Sequence, residues 1–477
     1  MTLPHRILAA AAACALVFLA TSSVTTKAGE RWPQFRGPES LGIADGAEFP
    51  ERWSTTENVA WSVDVPGRGW SSPVVWDDKI FVTTALSGDA WKEPTTGIYG
   101  NDYIAELRKQ GLPPEEVSRR VRARDNETPE ELTSDVEWRL LCFDARNGRK
   151  LWDEVMHRGK PFGGRHRKNT YASETPVTDG RRVYVYLGNI GLFSYTLDGK
   201  RDWMTPIPPQ KIYLDFGTAS SPVLHDGRVF VLNDNQETSY LAAYDAKSGK
   251  QLWKTPRDFR PPFLRSSFST PFVWTTKQRT EIVTAGPTVL ASYDVDGREL
   301  WRVGKLSQVG APTPVAVGDL LVAGSGSPSE NIRPLIAVRQ GGSGDLTLAD
   351  GQTSNDKVAW YQERGGSYIT SPLAYDGRVY VLFDQGFFGA SDLATGKVLY
   401  KVRIGEGGVA FSASPFAVNG RIYALSEDGD TYVIQAGDTY KLIAKNSLDE
   451  MSLATPAVIS NALFIRTSKK LYRIGRS

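Results

Sequence analysis

The chain has 477 residues, 40% hydrophobic and 23% charged, with 45 Gly and 28 Pro, a globular composition long enough for several domains or one large repeat array. Its formal charge is +2, and the first 28 residues hold two bases (Arg6, Lys27) and no acid, so the remainder is neutral. A neutral chain has no field to gather nucleic acid or an anionic membrane surface, and neither is an expected partner.

The elements then follow in chain order. Pro4-His5-Arg6 is a short basic lead, Ile7 to Ala20 an apolar run, and Thr26-Lys27-Ala28 offers small residues for cleavage. Residues 1–28 read as a secretory signal peptide, too short to anchor in a bilayer. No later segment is apolar for long enough to span one, so the expectation is an exported, soluble protein, periplasmic or associated with the outer membrane. Cys14 follows three alanines, but the apolar run continues past it, which disfavours lipid attachment there. Cys142 is the other cysteine, so the mature chain is expected to form no internal disulfide. An extended segment, 29–57, leads to "NVAWSVDV" at 58–65.

Two phrases then recur. The first is Ser or Thr, Pro, an apolar pair, a turn and a β-branched or aromatic strand: "SSPVVWDDKIFV" (71–82), "SSPVLHDGRVFV" (220–231), "TSPLAYDGRVYV" (370–381). Eight copies carry Pro73, Pro176, Pro222, Pro271, Pro314, Pro372, Pro415 and Pro456. From 176 on, the prolines are 41 to 49 residues apart, with 58 once. The second phrase is a strand–hairpin–strand: "DARNGRKLW" (144–152), "DAKSGKQLW" (245–253), "DLATGKVLY" (392–400). Asp and Gly suit its tight turn, and its final aromatic starts an outer strand that packs between neighbouring sheets. Trp61, Trp152, Trp203, Trp253, Trp301, Trp360, Tyr400 and Tyr440 are expected in that role.

A repeat of this length made of short strands predicts an all-β fold, an eight-bladed β-propeller of four-stranded antiparallel blades over 58–477. The last repeat lacks an outer strand, so the strand bearing Trp61 is expected to complete the final blade and close the ring. Residues 86–136 form a helical insertion in the first blade, with "NDYIAELRKQG" and "LPPEEVSRRVRAR" as its helices. Residues 341–357 form a polar excursion in the fifth. A monomer is expected.

In order and spacing, the two phrases resemble the PQQ-like repeat of quinoprotein propellers. The leader "WPQFRGPESLGIADGAEFPERW" (32–53) also looks like that of exported proteins with this repeat. The resemblance implies one of two branches. Quinoprotein alcohol dehydrogenases hold pyrroloquinoline quinone and calcium in the central funnel; propellers similar to the outer-membrane assembly factor BamB are non-catalytic protein-binding scaffolds. The dehydrogenases carry two adjacent cysteines, which a chain with Cys142 alone cannot supply, and their calcium-ligating residues cannot be placed here by motif. The reading adopted is therefore a non-enzymatic scaffold with a protein partner in the cell envelope, with no catalytic or metal residue assigned and no cofactor expected. The alternatives are a quinone- and calcium-dependent alcohol or sugar dehydrogenase with an atypical site, and a carbohydrate- or small-ligand-binding module.

Several further residues suit plain structural roles. Cys142 falls where other repeats have Ala243, Ser292 and Ala390, a small inward position that fits a packed thiol. His157, His166 and His225 lie in different repeats without ligand spacing. The Gly strings at 324–329 and 341–345 precede no helix and read as loops. Arg119, Arg120, Arg122 and Arg124 read as a solvated helix face, and Asn126-Glu127-Thr128 is a glycosylation pattern only in a host that glycosylates. Segments ahead of the innermost strands border the funnel, and they bring Arg68, Trp70, Lys168, Asn169, Tyr171, Asp215, Arg265, Gln308 and Tyr368 forward as candidate ligand-binding residues.

Overall fold

A computed structural model of the chain describes residues 29–89, 94, 96–97, 106–125, 134–258, 266–327, 330–405 and 409–475. The expected signal peptide, Arg265 and the 126–128 sequon lie outside these residues.

Eight antiparallel sheets follow one another along the chain. They occupy residues 74–159, 177–206, 223–256, 272–303, 315–362, 373–403 and 416–447, and the eighth joins 457–474 to 59–64. This is the eight-bladed propeller. Each blade starts at its innermost strand, just after a Ser/Thr-Pro pair. In the eighth, Val59–Asp64 pairs antiparallel with Lys470–Ile474, setting Trp61 opposite Arg473. Two blades gain a fifth strand: Arg31–Trp32 pairs with the innermost strand of the first, and Gly344–Asp345 runs parallel to Trp301–Arg302 on the outer edge of the fourth.

The Ser/Thr of each Ser/Thr-Pro pair links the blades. The backbone N–H of Ser72 donates to the hydroxyl of Thr175, Thr175 N–H to Ser221, and Ser221 N–H to Thr270, at 2.9–3.1 Å. The series continues through Thr313, Ser371 and Ser414 to Thr455 at 3.0–3.2 Å. Between the eighth and first blades the buried Arg466 bonds the Ser71 hydroxyl at 2.7 Å and the Thr83 carbonyl at 2.8 Å. Its burial without an acid pushes the guanidinium down to about 9.

The second phrase locks the rim. In the hairpin at Asp245, the side chain accepts from Ser248 N–H at 2.8 Å, and the Ser248 hydroxyl holds its carboxyl below the usual range. Gly249 takes φ +71°, and a Cβ there would stand 2.4 Å from the Trp203 ring of the preceding blade. That ring's N–H donates to Ala246 O of the same hairpin. Trp61, Trp152, Trp253 and Trp360 repeat the bond onto Ala145, Leu197, Val295 and Leu393, at 2.9–3.2 Å. Trp301 differs: the 341–357 excursion replaces the next hairpin, and its indole donates to the buried Glu281 carboxylate of its own blade at 2.7 Å. Tyr440 is not on an outer strand. It lies in the hairpin ahead of Leu442–Ser447, where Ala444 faces Val433, and its ring meets Tyr400 across the blade boundary at 6.3 Å. Cys142 sits opposite Trp152 as Ala243 does Trp253, fully buried, and burial pushes its thiol up.

Residues 31–53 cross the ends of the innermost strands remote from the Ser/Thr-Pro ring. Thr178 N–H bonds Pro33 O, Ile43 bridges Ala417, and Glu48 N–H bonds Ser460 O. Trp32 is 1% exposed against Gly37, and the buried Arg36 reaches Pro372 O at 2.8 Å. The axis is filled at this end.

Two substitutions separate the two locks. Thr270→Val keeps the shape but leaves the buried Ser221 amide without its acceptor, an expected loss of about 1–3 kcal/mol in urea unfolding. Gly249→Ala combines left-handed backbone strain of about 1–2 kcal/mol with a clash on Trp203 of about 1–3 kcal/mol. Gly227→Ala, at φ +68° with nothing within 4 Å, should show the backbone part alone.

Candidate functional site

The open end of the axis is the Ser/Thr-Pro end. Two kinds of loop meet there in each blade: the segment ahead of the innermost strand, and the hairpin joining the second and third strands. Antiparallel pairing sets the end of the second strand beside the start of the first, as Tyr380 beside Leu373. Together they enclose a cavity of about 250 Å³. Its wall is mostly apolar, with Trp70, Phe216, Phe268, Tyr368 and Phe411 among aliphatic residues.

Two buried carboxylates belong to the wall. Glu427, 1% exposed, accepts from Lys168 Nζ at 2.7 and 2.5 Å, from the Ser412 hydroxyl at 2.6 Å and from Gly97 N–H at 2.9 Å. Asp384, also 1% exposed, accepts from Arg333 Nη1 at 2.7 Å and more distantly from Tyr368 N–H at 3.4 Å, both through Oδ1. A buried carboxylate is tolerated only with such partners. Each acid is thus matched by one cation.

The helix Pro114–Asp125 leans on this mouth. Val117 and Val121 pack with Leu107 against Leu214, in the 3-10 turn Tyr213–Asp215 next to the wall residue Phe216. Arg119 and Arg120 pair with Glu116 on the same helix, and these guanidiniums draw the half-buried Glu116 carboxyl down to about 2.

Of the residues put forward from the sequence, Trp70, Lys168, Asn169 and Tyr368 stand in the cavity wall. Trp70 Nε1 donates to Lys168 O at 2.8 Å, and Asn169 ties its loop to Phe216 O at 2.7 Å. Four others do not reach the wall. Arg68 is held by a backbone bridge to Ala85 and borders a smaller pocket beside it. Tyr171 turns under Trp138, whose indole bonds its carbonyl, and carries the Arg165 guanidinium 5.1 Å over its ring. Asp215 lies in the tight turn at φ +55°, near Gly163. Gln308 donates its backbone N–H to the Glu330 carboxylate at 2.9 Å, while its neighbours Val309 and Ala311 line the cavity. The sequence reading missed Glu427, Asp384, Phe268 and Phe411. The two acids follow the second strands of "RIYALSEDG" and "RVYVLFDQG", outside the segments that lead into the innermost strands.

Eight blades opened by the first phrase, with the second recurring on the rims of several, define a PQQ-like repeat propeller. The family model described as outer membrane protein assembly factor BamB matches residues 136–286 and 286–470, and the chain belongs to that family of PQQ-like repeat proteins. Among solved structures, the chain is similar to BamB from Moraxella catarrhalis, at 14% identity and TM-score 0.51, over 70% of this chain and 91% of that one. It is similar to quinohemoprotein alcohol dehydrogenase ADHIIG from Pseudomonas putida HK5, at 12% and 0.55, over 94% and 81%. It is also similar to the quinohemoprotein alcohol dehydrogenase from Comamonas testosteroni, at 11% and 0.53, over 96% and 84%. These likenesses are of fold. No curated protein matches the chain in sequence.

The dehydrogenase fold raises the fit of a calcium–quinone centre. Calcium takes six to eight oxygen ligands, several of them carboxylates. Among the described residues no group of three or more His, Cys, Asp or Glu could hold a metal ion, and both wall carboxylates already face a cation. Among the same residues, no helix is long and apolar enough to cross a membrane.

The Lys168–Glu427 pair is testable by a cycle. Lys168→Met strands a buried carboxylate and should cost about 3–5 kcal/mol, whereas Lys168→Met with Glu427→Gln should recover most of it. Chemical denaturation of the parent, the two single variants and the double variant checks the coupling.

Proposed function

We propose that the chain is an exported, non-enzymatic scaffold of the cell envelope that binds a protein partner through its funnel face. The observation that carries this reading is the charge-balanced, apolar funnel. Its two carboxylates are each held by a cation, Glu427 by Lys168 and Asp384 by Arg333, which suits recognition better than metal-assisted oxidation. Membership of the BamB family supports the envelope and the protein partner. A rigid ring carrying variable loops suits such a role, because blades hold position while loops supply the contacts.

The test has two arms. Purified chain lacking residues 1–28 is titrated with pyrroloquinoline quinone and calcium, following melting temperature and quinone absorbance. No saturable shift is expected; stabilisation that requires both, with dye-linked alcohol oxidation, would overturn the scaffold reading. Crosslinking in cells should capture one discrete envelope protein, and a Phe411→Asp substitution in the funnel should abolish the capture.

A further inference from the structure

Among the described residues, Asp384 Oδ2 is the one buried side-chain polar atom belonging to a cavity-wall residue that has no hydrogen-bond partner. Its sister oxygen takes both Arg333 and the Tyr368 amide. A buried carboxylate oxygen without a donor is costly, so this position calls for a donor from outside the wall.

The remainder of the wall narrows what that donor is attached to. Lys168 pairs with Glu427 and Arg333 with Asp384, so neither wall acid stands without a cation. Trp70, Phe216, Phe268, Tyr368 and Phe411 make the wall aromatic. A ligand with many hydroxyls would bury most of them unmatched there. An apolar cavity of about 150 Å³ accommodates benzene, and this one, at about 250 Å³, has room for a fused pair of rings. Indole fits each requirement: a bicyclic apolar body, one donor and no acceptor. The chain already uses the same pairing internally, where the Trp301 indole donates to the buried Glu281 carboxylate at 2.7 Å.

We propose that the funnel cavity is the pocket for one tryptophan side chain of the partner, its indole N–H bonding Asp384 Oδ2 and its rings lying among the wall aromatics. Binding hot spots are enriched in Trp and sit in desolvated pockets. The inference rests on the scaffold reading for the source of the ring, not for the pocket itself.

Calorimetric titration of the protein with N-acetyl-tryptophanamide, its 1-methylindole counterpart and free indole tests it. The capped amino acid should bind one to one, and methylation of the indole nitrogen should weaken binding at least tenfold, about 1.4 kcal/mol. Asp384→Asn should weaken the parent compound and close the gap between the two. Ile369→Trp, which fills the cavity with Asp384 intact, should abolish binding of all three and covers the case in which Asp384→Asn fails to fold. Equal binding of the methylated compound, or a gap that survives Asp384→Asn, would overturn the assignment. Binding of free indole without the capped residue would overturn the partner as its source. A pocket that behaves as described while cells yield no crosslinked protein would instead count against the scaffold reading alone.

Discussion

The ring of Ser and Thr hydroxyls around the axis is the constraint on which the structure depends. Each innermost strand begins with a proline, which fixes the backbone and supplies no amide. In six blades the residue ahead of it carries two functions at once, its N–H reaching forward to the next blade and its hydroxyl receiving the N–H of the blade before, while Ser72 supplies only the N–H and Thr455 only the hydroxyl. A hydroxyl both accepts and donates, and its short side chain keeps the strands close, so only Ser or Thr serves at all eight places. The seam, where the two chain-distant blades meet, is strengthened differently, by the Arg466 guanidinium on Ser71 and Thr83.

The rim obeys a second rule of the same kind. An outer-strand indole needs a flat neighbour and an acceptor, and the hairpin of the next blade offers both, a glycine with no side chain and a carbonyl just before it. Where the 341–357 excursion removes that hairpin, Trp301 turns inward to Glu281. Where a tyrosine replaces the tryptophan, as at Tyr400, the neighbouring hairpin presents Tyr440 in place of a glycine. The pairing is local to each boundary, so one boundary can change without disturbing the next.

These two rules explain why the fold was legible in the sequence. Both need particular residue types at a fixed place in every blade, so they repeat, and repetition is visible in a single chain. The cavity wall is not periodic. Glu427 and Asp384 follow their second strands, but the same place holds Asp234 in the third blade, where it pairs with Arg257 away from the cavity, and Gly326 in the fifth, so the place alone does not mark a wall acid. Lys168 meets Glu427 across 259 residues, a partnership that exists only once the ring is closed. Position ahead of an innermost strand does bring Trp70, Lys168, Asn169 and Tyr368 to the wall. It does not decide which way a side chain turns, and Tyr171 goes to Trp138 instead.

The pairing of Val59–Asp64 with Lys470–Ile474 sets an order of events. Asp64 and Lys470 meet across 406 residues, and chains emerge from their N-terminal side. The strand that completes the eighth blade is therefore among the first made and the last to gain its neighbour. Throughout synthesis its ladder edge faces solvent, with Trp61 upon it. Until then the ring stays open, and the appearance of one short strand at the far end of the chain turns a row of independent sheets into a closed body.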